Sequence, residues 1–184
     1  AGMTRPIRIE FSGALHYVTC RGNAGGMVFT DAEDGTRFTE LLGREVEQSL
    51  WLCHAYCLMG DHYHLLVETP EANLGRGMGR LNMTYSQWFN RRHGRTGHLF
   101  QGRFKSVLAE KQNHLLELAR HVVLNPVRTG QVPFAHLWRW SSFRTTALGN
   151  PDQPWVHSGD VLNMLGGGDG ALGEFAEHVA AGAD

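Results

Sequence analysis

Cysteine is scarce in this sequence: Cys20, Cys53 and Cys57 are the only three among 184 residues. Their number is odd and no pair has the Cys-x-x-Cys spacing, which excludes a disulfide framework and a four-thiolate zinc site. Cys53 and Cys57 are expected on one face of a strand, as buried free thiols suited to a reducing cytoplasm. Long apolar runs are missing too. No stretch approaches the roughly 20 residues of a membrane span, and none reads as a secretory leader, so no membrane partner is expected. Ala1-Gly2 ahead of Met3 reads as a cloning remnant. With 42% apolar and 19% charged residues, the composition is that of an ordinary globular protein, long enough for one domain with its own core and an appendage.

A second absence is local. From Ala72 to Ala109 there is no Asp or Glu, although the chain has 18 of them. Seven of its 17 basic residues fall in that stretch: Arg76, Arg80, Arg91, Arg92, Arg95, Arg103 and Lys105. The segment therefore carries +7 and the remainder −8. Such an asymmetry is the footprint expected for a polyanion. Tyr85, Trp88, Phe89, His98, Phe100 and Phe104 share the segment, and stacking combined with cations is how single-stranded nucleic acid is held. The plainer alternative is a solvated basic face. Arg91, Arg92, Arg95, Arg103 and Lys105 are the candidate DNA-contacting residues.

Hydrophobic periodicity supplies the frame. Ala14 to Arg21 alternates and reads as a strand. Asp31 fits an N-cap with Asp34 in the first turn, opening a helix to about Ser49. Trp51 to Met59 and His62 to Thr69 read as strands joined by a Gly60-Asp61 turn. Asn73 can cap a second helix to about Arg92, with Met78, Leu81, Tyr85, Trp88 and Phe89 as its apolar stripe. Arg103 to Glu110 reads as a fourth strand. Asn113 is expected to cap a third helix that stops near Asn125-Pro126, because the residue before proline is pushed out of the helical region. The order β-α-β-β-α-β followed by a helix predicts an α+β, ferredoxin-like sandwich with a mainly antiparallel sheet of four to five strands. From about Gly149 the chain turns Gly/Pro-rich, so the expected division is a domain over 1–148 and an accessory tail over 149–184.

Within that frame, His62-Tyr63-His64 opens an apolar strand. Strand side chains alternate faces, so both imidazoles point one way and can grip one divalent metal. A half-exposed strand that simply carries two histidines is the alternative. On the third helix, His114, Glu117, His121 and Asn125 form a polar stripe, and His121 and Asn125 lie one turn apart on one face. That stripe is either solvated or, where the helix crosses the sheet, able to offer the Asn125 amide oxygen to a metal held by His62 and His64. Mixed imidazole and oxygen ligation suits Mg²⁺ or Mn²⁺. Three imidazoles, with His121 joining, would favour Zn²⁺ and a metal-binding protein with no role on nucleic acid.

Three stretches have a familiar form: His62-Tyr63-His64-Leu65-Leu66, the run from Phe89 to Lys105 (FNRRHGRTGHLFQGRFK), and Leu124-Asn125-Pro126-Val127-Arg128. Together with the opening Arg5 to Phe11 and Trp138 to Ser142, they resemble the IS200-like one-tyrosine transposases, in the branch associated with repetitive extragenic palindromes. The resemblance spans roughly Met3 to Thr146. It implies a bacterial, cytoplasmic, nucleoid-associated endonuclease in which two histidines hold Mg²⁺ or Mn²⁺ against a DNA phosphate. A helix-borne tyrosine then attacks, leaving a 5′-phosphotyrosine and a free 3′-hydroxyl. The implied partner is single-stranded DNA or a palindromic hairpin, bound by a monomer or a homodimer. His62, His64 and Asn125 match the family's metal set. The nucleophile's position, four residues before the asparagine, is His121 here. His121 itself, Tyr85 from the second helix, or a metal-bound water are the candidate replacements. A protein that binds hairpins without cleaving them is the other expectation. Gly60-Asp61 also replaces the family's usual Pro-Asn turn, which places a carboxylate beside the first histidine.

Overall fold

The computed structural model describes residues 7–183. Ala1-Gly2 and the first two residues of the Arg5 to Phe11 stretch lie outside the described residues. Strand β1 (Ala14–Arg21) is followed by α1 (Ala32–Ser49), β2 (Leu52–Leu58), β3 (His62–Thr69), α2 (Leu74–His93), β4 (Lys105–Ala109) and α3 (Lys111–Arg128). The four strands form one sheet in the order β2-β3-β1-β4, antiparallel throughout. This is the ferredoxin-like α+β arrangement that the element order predicts.

The sheet has two differently covered faces. Helices α1 and α2 cover one, where Phe38, Leu42, Met78, Leu81, Tyr85 and Phe89 pack against Val18, Tyr63 and Leu65. Helix α1 starts as expected, with the Asp31 side chain accepting from the Asp34 N–H at 3.1 Å. Asn73 stands at the N-cap of α2 but makes no capping bond. Its amide instead accepts from Trp51 Nε1 at 2.8 Å and donates to the Ser49 carbonyl at 3.0 Å, tying α2 to the end of α1.

Helix α3 covers the other face, packing Leu115, Ala119 and Val122 on Leu15, Ala55 and Leu66. It begins at Lys111 with Glu110 at the N-cap rather than at Asn113, and it runs past Pro126 to Arg128. The proline's missing N–H leaves the Val122 carbonyl without its helical donor. The Asn125 side-chain amide donates to it at 3.2 Å, which lets the helix continue. A second correction concerns the cysteines. A β-bulge between Cys53 and Ala55 shifts the pleat, so Cys53 joins the α1/α2 side and Cys57 the α3 side. All three thiols are free and buried, as expected.

The segment beyond α4 (Phe143–Leu148) packs closely. Val156 joins the α1/α2-side core, while Val161 of α5 (Gly159–Asn163) and Phe175 and Val179 of α6 (Ala171–Ala181) join the α3-side core. Among the described residues no helix is long and apolar enough to cross a membrane.

Candidate metal centre and nucleic-acid surface

Alternation along β3 turns His62 and His64 to the α3 face, and the structure bears that placement out. In register, His62 stands opposite Arg21 and His64 opposite Thr19 on β1. The two rings meet at 82° with centroids 4.8 Å apart, and both residues are more than nine-tenths buried. Each Nδ1 is occupied. The His62 ring donates to Asp61 Oδ1 at 2.5 Å, and that bond above all holds the Asp61 carboxyl below the usual carboxylate range. His64 Nδ1 meets the Tyr17 hydroxyl at 2.7 Å. His64 Nε2 is buried without a hydrogen-bond partner among the described residues. Burial, then the neighbouring His62 and His121, push the His64 pKa down to about 3. The ring is therefore neutral over the ordinary pH range. A neutral imidazole with one nitrogen anchored and the other unpartnered fits a metal ligand with its supporting shell.

Helix α3 brings His121 to the same place, with Asn125 one turn further along the helix. Asn125 donates from Nδ2 to the His121 and Val122 carbonyls at 3.0 and 3.2 Å, so its Oδ1 is the end left for a ligand. His121 is exposed, and its Nδ1 accepts from Arg128 Nη1 at 2.8 Å. Its ring lies edge-on to Tyr17, with centroids 5.6 Å apart. Partial desolvation of the ring where it packs toward Tyr17 first, and Arg128 second, lower its pKa. The buried His62 and His64 pair, with His64 Nε2 unpartnered, thus fits two ligands of a divalent ion, and Asn125 Oδ1 is the oxygen that α3 could add.

Histidines 62, 64 and 121 do not assemble as a three-ligand set. The one group of three such donors within 4.8 Å of one another, among the described residues, is His54, Glu68 and Asp160. That group lies at the far end of the sheet. There Lys111 bridges the two carboxylates, at 2.6 Å from Glu68 and 2.7 Å from Asp160, so an ammonium already supplies the cation.

Tyr85 is not brought to the histidines. It is fully buried under α2 on the opposite face, and its hydroxyl donates to the Val28 carbonyl at 2.5 Å. Tyr56 and Tyr63 belong to the same core, with hydroxyls given to Gln153 (2.6 Å) and Asn82 (2.5 Å). Tyr17 is the phenol that sequence reading missed at this site. Alternation along β1 fixes its face but cannot say that β3 lies alongside.

The basic segment divides in two. Arg91, Arg95, Arg103 and Lys105 are exposed and make no ion pair among the described residues. Arg92 is drawn the other way, to Asp31 (2.8 Å), Glu33 (2.9 Å) and Asp34 (2.7 Å) at the start of α1. Its charge is offset within the fold. Arg80 is likewise paired with Glu45. The aromatics also differ from expectation. Tyr85, Phe89, Phe100 and Phe104 are buried and Trp88 is half-buried, because the α2 stripe and the following loop complete the core; His98 alone of the six is exposed. Lys105 pairs with Thr19, which pairs with His64, so one row across the sheet links the basic segment to the histidines. Arg21 and Arg128 flank the same face from outside the basic segment.

A ferredoxin-like sheet with two strand-borne histidines on one face, crossed by a helix carrying an asparagine, defines the class to which the comparisons point. The family model described as "Transposase IS200 like" matches residues 11–122, and the chain belongs to that family. Among solved structures, a REP-associated tyrosine transposase bound to a REP hairpin is similar at 18% identity. The match covers 86% of this chain and 93% of that one, with a TM-score of 0.64, which supports the shared fold. A second, described as a putative transposase from Deinococcus radiodurans R1, is 14% identical over 64% of this chain and 94% of that one, with a TM-score of 0.44. No curated protein matches the chain.

Proposed function

We propose that this protein binds single-stranded or hairpin DNA and cuts it in a reaction that depends on a divalent ion at His62, His64 and Asn125. The observation that carries the reading is the pair of imidazoles whose Nδ1 atoms are both anchored while His64 Nε2 is left without a partner. Family membership gives that pair a context, and the hairpin bound in the similar solved structure supports the proposed substrate class. Two imidazoles and an amide oxygen suit Mn²⁺ or Mg²⁺. When bound, such an ion neutralises charge on the phosphate being transferred.

The chain's own groups do the rest. Asp61 holds the His62 ring, Tyr17 the His64 ring, and the Pro126 gap the Asn125 amide. Arg91, Arg95, Arg103 and Lys105 offer cations to the DNA backbone, with Lys105 nearest the histidines in register.

The test is a gel shift and cleavage assay with a labelled hairpin bearing single-stranded flanks, with Mn²⁺ and with EDTA. Binding in both, and cleavage with Mn²⁺ alone, is the expected result. Binding with no cleavage under any divalent ion would instead mark a hairpin-binding protein that has lost strand cleavage, the reading that His121 at the family's tyrosine position favours.

A further inference from the structure

Three of the chain's four tyrosines commit their hydroxyls inside the α1/α2-side core; Tyr17 alone opens on the face of His62 and His64. Resting on the cleavage reading above, we propose that Tyr17 supplies the hydroxyl that attacks the DNA phosphate, in place of the phenol that α3 lacks at residue 121.

Position is the first support. The Tyr17 ring meets the His121 ring edge-on at 5.6 Å, so the two side chains reach adjoining space, one from β1 and one from α3. The phenol has not left the site; it enters from the sheet side. Its Oη lies 2.7 Å from His64 Nδ1, one imidazole ring away from the unpartnered Nε2.

Mobility is the second support. Strand β1 is paired on both edges, by β3 and β4, so its backbone is fixed and Tyr17 moves only through its side-chain torsions. The residue is neither buried nor locked like the other three: it is partly exposed and has one hydroxyl partner among the described residues, a ring nitrogen. His121, by contrast, already gives its Nδ1 lone pair to the Arg128 guanidinium, which blunts it as a nucleophile. Arg21 lies on the same pleat of β1, and Lys105 faces Thr19 beside it, so two cations stand toward the histidine end of the strand from Tyr17, where a bound phosphate backbone would run.

The step balances without any redox partner. A lone pair on Tyr17 Oη forms the Oη–P bond as the P–O3′ bond breaks; the phenolic proton passes to water, and the departing 3′ oxygen takes a proton from water. One phosphodiester replaces another, so attack by a 3′-hydroxyl reverses the step and rejoins strands.

The experiment uses the full chain, Mn²⁺ and a labelled hairpin whose single-stranded flanks are randomised. Denaturing gels detect a covalent protein–DNA adduct, and peptide mass spectrometry locates it on the native chain without any substitution. The expected result is a nucleotide-bearing peptide modified at Tyr17, an adduct lost in Tyr17→Phe, and an adduct still formed by His121→Ala. Gel shift and thermal melting check that Tyr17→Phe still folds and binds. An adduct on His121 or any other residue overturns the proposal, and so does cleavage that persists in Tyr17→Phe. A 3′-bridging phosphorothiolate at the cut site makes the leaving group easier to expel; no Tyr17 adduct with that substrate, in a chain that shifts the hairpin, also overturns it. Cleavage through another residue leaves the reading of DNA cleavage standing, whereas a native chain that never shifts the hairpin sinks that reading first and Tyr17 with it.

Discussion

On the α1/α2 side of the sheet, three tyrosine hydroxyls have partners and the aromatic side chains interlock. On the α3 side, two histidines and a tyrosine meet where β4 leaves the face partly open, with Lys105 and Val107 exposed. Hydroxyls with partners inside a packed core help hold a structure together. Perturbed, under-satisfied titratable groups at a partly open face are what a functional site leaves behind. The same four strands therefore carry a packed core on one side and the candidate site on the other.

The largest expected effect lies on the packed side. Phe38 is fully buried against Phe29, Tyr63 and Tyr85. Phe38→Ala should cost about 3–5 kcal/mol in denaturant unfolding, whereas Tyr17→Phe on the other side should cost about 1 kcal/mol or less. Equal costs would break the contrast between the faces. Next comes the metal. His62→Ala combined with His64→Ala should abolish Mn²⁺ binding in calorimetry while leaving the melting temperature nearly unchanged, since removing His64 also removes a buried unpartnered nitrogen.

A smaller effect separates neighbours on one helix. Arg91→Glu, Arg95→Glu and Arg103→Glu should each flatten the salt dependence of single-strand binding by roughly 0.7 in log–log slope. Arg92→Glu should instead lower the melting temperature, because it sets a carboxylate among Asp31, Glu33 and Asp34. An Arg92 effect confined to DNA binding would show that this ion-pair cluster opens to receive the nucleic acid.

The smallest effect is one of pH. Buried His16, on the strand face shared with Val18, has neither ring nitrogen partnered among the described residues, and burial lowers its pKa from 6.5. The folded state thus disfavours the charged form, and the unfolded chain binds more protons as pH falls. The contribution is present above about 6.5 and lost below it. His16→Leu should flatten the fall of melting temperature on the acid side of that value.

Much of this was legible in the sequence because the relevant patterns are short. Alternation gave β1 and β3 to the residue and set the His62 and His64 rings on one face; the acid-free stretch marked the basic segment. What stayed hidden depends on partners distant in the chain. The bulge at Cys53 and Ala55 separates two cysteines that simple alternation puts together. Arg92 looks free until α1 is seen 58 to 61 residues away, at Asp34 and Asp31. Tyr17 meets His64 across a separation of 47 residues, through a strand pairing that no local window contains.

The Lys111 bridge to Glu68 and Asp160 gives the C-terminal segment a mechanical role. Helix α3 has 18 residues, which makes it a lever about 27 Å long. One end is moored through Lys111 to β3 and, by way of Asp160, to α5; the other carries His121 and Asn125. A tilt of about 5° at the mooring would swing the far end by roughly 2 Å over that length, enough to spoil a metal ligand. Shortening the chain at Gly149 therefore removes part of the hinge-pin of the site, and the cut should register as faster hydrogen exchange in the last turn of α3, far from the missing residues.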